Sequence, residues 1–484
     1  MSKQVEKDGE GLLETLLFRR VELWFCLLLV TVASIAFSLW TWRVIAHDAF
    51  PRKQIDELRA VLNPTEADTR SLFERLSADL SFHPYAFEAL ERPDLIVDPD
   101  LLRPVTRSAA ATGLLPPLDS MAFANVSGVQ DHLLLFGSFP VAEIEAQWGI
   151  LHINARGQVL RGWQTDIARG EFDGGHIGFA MSPEGILATN TNGILSAHDW
   201  CGQKLWEAEW IPHPDGERRQ HDRLDGYDWH HDVTYHDGVF YSFLGQVVTG
   251  VSATTGEIVF TLDLVDVMRW AWDDGLDLLS LHAAIERRGA LRSEDPASAL
   301  SEDPFHANKI DILSQSLADA FPGFEAGDML LSLRELNLVI VVRPSKESIV
   351  WWRQGLTSRQ HDVTFALDET GRGVVELFNN DPFGGRPSIR RLALDTYSFE
   401  DILHLDQWGM VMPFKGNFVR TGDRVITVDD ESGRAILGRL SGAVDMVFHN
   451  EYTSPDEEKL RLQLRNATVL SPENVARLDT RCAP

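Results

Sequence analysis

The first long hydrophobic segment of the chain is residues 23–42, LWFCLLLVTVASIAFSLWTW, a run of 20 residues without a charge. As an α-helix this run spans about 30 Å, which matches the hydrocarbon core of a bilayer. Trp24 near one end and Trp40 near the other are placed as in an aromatic belt. The pattern predicts a transmembrane helix within residues 21–45. A cleaved signal peptide is the alternative, but the run is long and lacks a clear small-residue cleavage site.

The segment after the predicted span is typical of a stalk. Residues 47–75 carry apolar side chains at three- and four-residue spacings, which predicts helix, with a break at Asn63-Pro64. Residues 83–119 are rich in proline, which disfavours regular structure. We therefore predict a stalk or neck over residues 46–119.

From about residue 120 the pattern changes to short β-type runs bounded by Gly, Asp, Asn or Pro. Several of these runs follow one order: a histidine, an apolar strand, a turn and a second strand. The clearest examples are GGHIGFAMSPEGILATN, WHHDVTYHDGVFYSFLG and RQHDVTFALDETGRGVVELFNN. Such a recurrence indicates a repeat protein.

The histidines set the length of the repeat. His176 precedes His231 by 55 residues, and His306 precedes His361 by 55, whereas His231 and His306 are 75 apart. The longer distance becomes about 55 if some 20 residues around 272–300, a stretch that reads as polar and helical, form an insertion.

This period fits a four-stranded propeller blade, which takes about 40–50 residues. We predict an all-β fold, a six-bladed β-propeller over residues 120–484 with a helical insertion near 266–304. The predicted blades start near residues 120, 176, 230, 305, 360 and 412. A two-sheet sandwich is the alternative, but it would not repeat a histidine at one register.

In a propeller the same register of every blade faces the central axis, so the four histidines are expected to converge at one mouth of the channel. The alternative for each is a structural or surface histidine. Arg334, Asn308 and the pair Asn379-Asn380 stand close to them in the repeat pattern. Three histidines can bind a metal, but a site that adds arginine and asparagine favours an oxyanion. A neutral imidazole can also attack an electrophilic sulfur or phosphorus atom.

Net charge limits the possible binding partners, and cysteine content limits the possible disulfides. Lys+Arg number 44 and Asp+Glu 72, so the net charge is −28. A surface this acidic repels phosphate backbones, which argues against nucleic-acid binding. Cys26 lies in the hydrophobic run, so Cys201 and Cys482 are the only plausible pair, and the sequence leaves open whether they join.

The region 120–450 resembles the bacterial arylsulfate sulfotransferase family. The resemblance lies in the order and spacing of four short elements. These are His230-His231-Asp232, His306-Ala307-Asn308, Ser332-Leu333-Arg334 and Gln360-His361-Asp362. It implies a six-bladed propeller that moves a sulfuryl group from an aryl sulfate to a phenolic or other hydroxyl acceptor. The implied route is ping-pong, through a sulfohistidine, without a metal, a cofactor or the nucleotide sulfate donor.

Carried over to this chain, the resemblance implies that His361 is the nucleophile. It implies that the sulfuryl-oxygen ligands are His231, His306, Asn308 and Arg334. His176 matches less closely and is expected to line the mouth of the site. His230 is the alternative to His231, and Asp362 or a backbone carbonyl is expected to hold the proton on the Nδ1 atom of His361.

The chain departs from the better-known family members before the propeller, where they carry a β-sandwich and this chain has the predicted span and stalk. Basic residues are nearly balanced around the span, so charge does not orient it. The uncharged run predicts a single-pass protein of the inner (cytoplasmic) membrane, and the resemblance implies its orientation. Residues 1–20 would form a cytoplasmic N-terminal tail, and the propeller would lie in the periplasm or outside the cell. The oligomeric state stays open.

Other functional classes remain alternatives. A membrane-tethered propeller without catalytic activity could bind a protein or glycan partner, since fold alone does not imply catalysis. A metal-dependent propeller enzyme such as a lactonase would need acidic ligands at the histidine registers, and the sequence has none there. The expected partners of the site are therefore small molecules, an aryl sulfate and a hydroxyl acceptor.

Overall fold

The chain divides into two compact units, Met1–Ser81 and Phe82–Pro484. The computed structural model describes residues 97–113, 118, 121–142, 145–165, 178–191, 193–208, 229–273, 305–381, 386–410, 412, 415–430, 432–453 and 459–482. The predicted tail and span, the predicted helical part of the stalk and His176 lie outside these residues. Among the described residues, neither helix has the length and hydrophobicity of a transmembrane helix.

The described residues are almost entirely β-structure. In chain order the strands are β1 (Arg103–Pro104), β2 (Thr106–Gly113), β3 (Met121–Asn125), β4 (His132–Ala142), β5 (Glu145–Ile153), β6 (Gln158–Gln164), β7 (Gly178–Met181), β8 (Leu187–Thr191), β9 (Ile194–His198), β10 (Lys204–Glu207), β11 (Trp229–His236), β12 (Val239–Leu244), β13 (Val247–Ser252), β14 (Ile258–Asp263), β15 (Ala307–Ile312), β16 (Met329–Leu333), β17 (Leu338–Arg343), β18 (Ser348–Gln354), β19 (His361–Leu367), β20 (Gly373–Asn379), β21 (Ser388–Leu392), β22 (Phe399–His404), β23 (Phe418–Thr421), β24 (Arg424–Asp429), β25 (Arg434–Arg439), β26 (Val444–Thr453), β27 (Lys459–Arg461) and β28 (Leu464–Leu470). The helices are α1 (Leu264–Asp273) and α2 (Pro472–Asp479).

These strands form six sheets, the blades of a propeller, which confirms the predicted fold. Blades II, III, IV and V are β7–β10, β11–β14, β15–β18 and β19–β22. Blade I has the order β28-β4-β5-β6-β2, and blade VI has the order β23-β24-β25-β26-β3-β1 with β27 beside β26. The inner strands are β28, β7, β11, β15, β19 and β23. Contacts between the inner strands join blade I to blades II and VI, blade II to III, III to IV, and IV to V.

The two ends of the propeller chain are interleaved, which the sequence analysis did not foresee. The strand at 121–125, predicted to open the first blade, instead completes the last one, where Phe123 pairs with Phe448. The inner strand of blade I comes from the C-terminal end, where Thr468 pairs with Leu134. Backbone hydrogen bonds between distant parts of the chain therefore close the ring.

Residues assigned to the stalk by their proline content also join these sheets. β1 extends blade VI by pairing with β3, and β2 pairs in parallel with β6 at the outer edge of blade I. Val105, between them, is buried in the core. The part of the chain packed on the propeller therefore begins before residue 120, because this segment carries apolar side chains that the blades can bury.

The core lies between the blades. Within the described residues the buried apolar side chains form six clusters, one at each interface between neighbouring sheets. Blade V shows how the sequence produces this pattern. Val363 and Phe365 of β19 face blade IV, and Val375 and Leu377 of β20 join them. Asp368 closes the hairpin between these strands by accepting hydrogen bonds from the backbone N–H groups of Thr370 and Arg372.

The C-terminal segment after β28 packs on blades I and II. Ser471 caps α2 by accepting a hydrogen bond from the N–H of Asn474, and Leu478 of this helix is buried between the blades. A disulfide joins Cys201, in the turn after β9, to Cys482. The structure thus decides the pairing that the sequence left open, and ties the chain end to blade II.

The predicted insertion near 266–304 begins within the described residues as α1. This helix follows β14 directly, and its apolar face, with Val267 and Ala271, packs against the core between blades III and IV. Residues 274–304 lie outside the described part of the chain.

Candidate active site

The inner strands of blades III, IV and V all begin with a break in the regular pairing. The register shifts between His230 and Thr234, between Ala307 and Lys309, and between His361 and Thr364. Left-handed backbone accompanies the shifts, with φ of 60° at His231 and 46° at His306. Such a conformation costs a residue with a Cβ about 1–3 kcal/mol and is concentrated at functional sites. Here it turns the ends of the strands so that imidazole rings from different blades meet.

Gly178 makes room for the bend in blade III. A Cβ built at this position would lie 2.5 Å from the carbonyl oxygen of His231 and 2.6 Å from the Cα of Asp232. Only glycine therefore lets β7 approach the bent start of β11. Asn190 supports the same carbonyl, since its Nδ2 donates to the oxygen of His231 at 3.3 Å.

Three histidines from two blades form a hydrogen-bonded row. The Nε2 atoms of His231 and His306 are 2.9 Å apart, and the Nδ1 atoms of His230 and His231 face each other. His230 stacks on Phe243 and places its Nε2 2.6 Å from the carbonyl oxygen of Gly245. Both His230 and His231 thus belong to the cluster, with His231 in the middle.

His361 has a defined proton arrangement. Its Nδ1 is 2.7 Å from the Oδ1 of Asn380 and 3.0 Å from the carbonyl oxygen of Arg359. Asn380 is held by its own Nδ2, which donates to the carbonyl oxygens of Met412 and Lys415. Because both neighbours of Nδ1 are acceptors, Nδ1 carries the proton and Nε2 keeps its lone pair.

The surroundings also keep His361 neutral. Burial, together with the positive charge of Arg334 and the neighbouring His306, lowers the pKa of His361 well below its usual value of 6.5. Its hydrogen bonds to Asn380 and to the Arg359 carbonyl act in the opposite direction but do not outweigh burial. A neutral imidazole with a lone pair on Nε2 is a nucleophile at physiological pH.

Arg334 reaches the cluster through the backbone of blade IV. It begins the short 3-10 turn Arg334–Leu336 after β16, and its N–H donates to the carbonyl oxygen of His306 at 3.2 Å. Asn337, just beyond, accepts from the N–H of Arg359 in blade V at 2.8 Å. The position of Arg334 is therefore tied to both His306 and the segment that precedes His361.

Asn308 is buried between blades IV and V. Its Nδ2 donates to the carbonyl oxygen of Gln360 at 2.9 Å, and its Oδ1 has no hydrogen-bond partner among the described residues. Gln360 is itself fully buried and donates from Nε2 to the oxygen of Leu338 and to Ser332. Asn308 thus holds the backbone next to His361 and presents an acceptor and one further N–H.

A buried ion network lies directly behind these residues. The Nζ of Lys309 is 2.5 Å from Asp232 and 2.8 Å from Asp362, and the three side chains are 16, 14 and 7% exposed. Burial and the second carboxylate raise the pKa of Asp232 to about 6, although Lys309 opposes this. Burial disfavours the ammonium of Lys309, but the two carboxylates outweigh it and raise its pKa.

This network bears on two expectations. Of the two expected acceptors for the proton on Nδ1 of His361, the structure places a backbone carbonyl there, that of Arg359. Asp362 instead binds Lys309 and accepts from the Nδ2 of Asn417 at 3.0 Å and from the N–H of Phe418. The residues before Asp232, Lys309 and Asp362 are His231, Asn308 and His361, so these three are the structural equivalents. His306 lies two residues earlier and reaches the cluster through its left-handed backbone. The 55-residue spacing is therefore not a strict register.

A cavity of about 660 Å³ adjoins the network. Inner strands of blades III to VI line it, with Thr234, Asp311, Thr364 and Arg420 facing in and Lys309 and Asp362 at its boundary. Within the described part of the chain, no group of His, Cys, Asp and Glu side chains is placed to hold a metal.

The structure thus brings together His231, His306, Asn308, Arg334 and His361, whereas His176 lies outside the described residues. The sequence indicated no role for Lys309 or Gln360, and it indicated only that Asn380 stands near the histidines. Gln360 and Lys309 each adjoin a candidate site residue in the sequence, which was the only available signal. The contact between Asn380 and His361 crosses a hairpin and depends on how the strands pair.

Comparison with known proteins gives one family match. The family model described as Arylsulfotransferase (ASST) matches residues 187–451, which is more than half of the chain and runs from blade II through most of blade VI. None of the curated proteins matches this chain.

Three of the solved structures similar to this chain illustrate how low the sequence identity is. A protein of unknown function from Bacteroides caccae has a TM-score of 0.41 at 11% identity, covering 71% of this chain and 99% of that one. Virginiamycin B lyase from Staphylococcus aureus has a TM-score of 0.29 at 12% identity, covering 56% and 69%. Hydrazine synthase from Kuenenia stuttgartiensis has a TM-score of 0.33 at 10% identity, covering 73% and 81%.

The ion network leads to a paired prediction about stability. Lys309→Met leaves two buried carboxylates facing each other and should destabilise the protein by about 3–5 kcal/mol at pH 7. Asp232→Asn leaves Lys309 paired with Asp362 alone and should stay within about 1 kcal/mol of the wild type. Both values can be measured by denaturant unfolding, provided that unfolding is reversible.

The raised pKa of Asp232 predicts that the stability of the protein depends on pH. The folded-state pKa of Asp232 is raised above its unfolded value of 3.8, so the folded protein takes up a proton as the pH falls through about 6. As the pH falls from about 6 to 4, the free energy of unfolding of the wild type should therefore rise relative to that of Asp232→Asn. A constant difference between the two across this range would contradict the arrangement.

Proposed function

Because the chain belongs to the arylsulfotransferase family, we propose that it transfers a sulfuryl group from an aryl sulfate to a phenolic or other hydroxyl acceptor through a sulfohistidine on His361. Family membership supports aryl sulfotransferase activity in general. The observation that carries the specific route is the state of His361, whose Nδ1–H is held by Asn380 and Arg359 while Nε2 keeps its lone pair.

In the first half-reaction Nε2 of His361 attacks the sulfur atom, the N–S bond forms and the S–O bond to the aryl group breaks. The electron pair of that bond leaves with the phenolate. The ring becomes positively charged because Nδ1 keeps its proton. The Oδ1 of Asn380 and the carbonyl oxygen of Arg359, at 2.7 and 3.0 Å from Nδ1, stabilise this charge.

The negative oxygens of the sulfuryl group need positive partners. Arg334 is the fixed charge close to His361, as its effect on the pKa of that imidazole indicates. His306 and the second N–H of Asn308 complete the proposed oxyanion site, with His231 behind His306 and His176 at the mouth. In the second half-reaction the oxygen of a hydroxyl group attacks the same sulfur and gives up its proton to the released phenolate or to solvent. The N–S bond breaks, its electron pair returns to Nε2, and neutral His361 is restored.

The location is proposed from two features. Residues 23–42 form an uncharged run of bilayer length, which fits a single-pass anchor in the inner membrane. The Cys201–Cys482 disulfide favours an oxidising compartment such as the periplasm for the propeller.

The acidic net charge of −28 argues against nucleic acid as a partner.

The decisive test of the reaction is His361→Ala in the full-length chain, with a chromogenic aryl sulfate and a phenol. Loss of a covalent nucleophile should reduce phenol release by at least about 10³-fold. Without acceptor, the wild type should carry an adduct of about 80 Da on the peptide with His361, and turnover should be ping-pong.

His236→Ala, at the far end of β11, is the matched control and should retain activity. Near-normal turnover of His361→Ala would refute the nucleophile assignment. If the folded protein consumes no aryl sulfate at all, a membrane-tethered propeller that binds a protein or glycan becomes the better account.

A second prediction concerns the oxyanion partners. Sulfate or vanadate should raise the thermal midpoint of the wild type, because both bind the folded state. Arg334→Ala should lose most of this shift, and Arg334→Lys should keep part of it, since a point charge replaces a fork of donors. Arg386→Ala, which removes a surface arginine paired with Asp406, should leave the shift unchanged. Equal shifts in the wild type and Arg334→Ala would assign Arg334 a purely structural role.

The third prediction concerns topology. Alkaline phosphatase, which folds only outside the cytoplasm, should be active when fused after Pro484. A fusion after residue 20 should be inactive, because that position is proposed to be cytoplasmic. Activity only of a cytoplasmic reporter at the C-terminal position would exclude a periplasmic propeller.

A further inference from the structure

The disulfide between Cys201 and Cys482 joins two cysteines that differ in exposure. Cys201 is exposed and lies in the turn between β9 and β10 of blade II. Cys482 is partly buried and packs against the apolar cluster between blades I and II. Access helps to decide which sulfur of a disulfide a thiolate attacks. A thiolate from solvent therefore meets the sulfur of Cys201 first.

The two sulfurs also differ in their electrostatic surroundings. The guanidinium of Arg161 donates a hydrogen bond to Sγ of Cys482 at 3.5 Å. A positive charge at this distance stabilises a thiolate, and the more stable thiolate is the better leaving group. Within the described part of the chain, no cationic side chain donates such a hydrogen bond to Cys201. Exposure and charge thus favour the same direction of cleavage.

The guanidinium of Arg161 is fixed next to the sulfur. It lies over the rings of Trp163 and Trp200, at 5.8 and 5.3 Å from their centroids, and donates to the carbonyl oxygen of Trp200. The carboxylates that act on it are those of Asp479 and Asp199. Asp479 is 3.6 Å away and half exposed, so solvent screens its charge more than that of Arg161, which is 17% exposed.

We propose that the Cys201–Cys482 disulfide is a thiol-exchange site with a fixed direction, in which a thiolate attacks Cys201 and Cys482 leaves beside Arg161. The expected reactant is a dithiol, because its second thiol can complete the reduction. This site lies on blades I and II and includes none of the candidate residues for sulfuryl transfer. The inference therefore does not rest on the proposed function.

The exchange has two steps. A thiolate of the dithiol attacks Sγ of Cys201, a new S–S bond forms, and the bond to Cys482 breaks with its electron pair on Sγ of Cys482. The second thiolate of the dithiol then attacks its own first sulfur and releases Cys201 as a thiolate. The dithiol ends as a cyclic disulfide, and the two protons that it loses pass through solvent to the two cysteines.

The bond that this exchange opens also closes the propeller ring. The inner strand of blade I, β28, runs directly into α2, and the disulfide fixes the end of this segment to a residue 281 positions earlier in blade II. The segment has further contacts, because Arg477 and Arg481 donate to the carbonyl oxygens of Pro183 and Glu184. Leu478 is also buried between the blades. Reduction should therefore leave a folded propeller whose closure depends on noncovalent contacts alone.

The direction of attack can be measured in a single exchange step. The full-length chain carries Cys26→Ser, which removes the third cysteine, and is treated with the monothiol glutathione and then with N-ethylmaleimide. Peptide mass spectrometry should find glutathione on Cys201 and maleimide on Cys482, in at least about 10-fold excess over the reverse pattern. Equal labelling, or glutathione mainly on Cys482, would overturn the proposed direction. No exchange with the folded protein would refute the site itself.

Arg161→Met separates charge from packing, because the two roles predict opposite changes in rate. If Arg161 only packs against the tryptophans, its loss loosens the segment and dithiothreitol should open the disulfide faster. If its charge stabilises the leaving thiolate, opening should be about 3–10-fold slower. Arg161→Lys keeps a charge and should fall between Arg161→Met and the wild type.

Arg156→Met is the matched control, since Arg156 is an exposed arginine in the turn between β5 and β6 of the same blade. Its rate of opening should equal that of the wild type. A rate in Arg161→Met that equals or exceeds the wild-type rate would refute the role of the guanidinium.

Hydrogen exchange tests the effect on ring closure. After reduction, the amides of β28 and α2 should exchange faster, whereas those of β19–β22 in blade V should not change. The thermal midpoint should fall by about 5–10 °C, because the bond constrains a long loop of the unfolded chain. Cys201→Ser should match the reduced wild type in both measurements. Unchanged exchange in β28 and α2 would show that the disulfide does not control closure. None of these measurements uses sulfuryl transfer, so their outcome is independent of the outcome at His361.

Discussion

The site depends on how neighbouring blades are held together at the axis. Each blade is a sheet with its own hydrogen bonds, and no strand pairing joins the inner strands of blades III, IV and V. Their relative position is therefore set by side chains. Lys309, between Asp232 and Asp362, links the three strands directly behind the candidate catalytic residues. Burial of the Asp232 carboxylate, with a smaller contribution from Asp362, raises its pKa although Lys309 opposes the rise.

The ring N–H groups of His361 and His230 donate to carbonyl and amide oxygens and not to carboxylates. Asn380 and the carbonyl of Arg359 hold the Nδ1–H of His361, and the carbonyl of Gly245 holds the Nε2–H of His230. A neutral acceptor orients an imidazole without strongly raising its pKa, as a carboxylate would. His361 can therefore stay unprotonated beside Arg334, which suits a nucleophile that must work next to an anion-binding group.

Strained backbone and close packing make the arrangement possible. His231 and His306 adopt left-handed φ values, and Gly178 lets the neighbouring blade approach the bend at His231. These features cost conformational energy that the cores between the blades must outweigh. They are typical of a site in which side-chain positions matter more than local stability.

The sequence by itself was sufficient for the fold class and for most of the candidate residues. Short strands between turn residues and a recurring histidine predicted six blades, because each blade must bury the same faces. The motifs around His231, His306, Asn308, Arg334 and His361 led to residues that the described structure brings together. The local sequence carries this information because residues next to an inner strand in the chain also lie near the propeller axis.

Only the tertiary structure decided the rest. The strand at 121–125 joins the last blade and β28 closes the first, because ring closure pairs residues that are distant in the chain. Asn380, Lys309 and the order of the three histidines depend on contacts across strands and blades, which no local spacing encodes. The equal 55-residue spacing also concealed a shift of two residues at His306, since a bulge changes which side chain faces the channel without changing the repeat length.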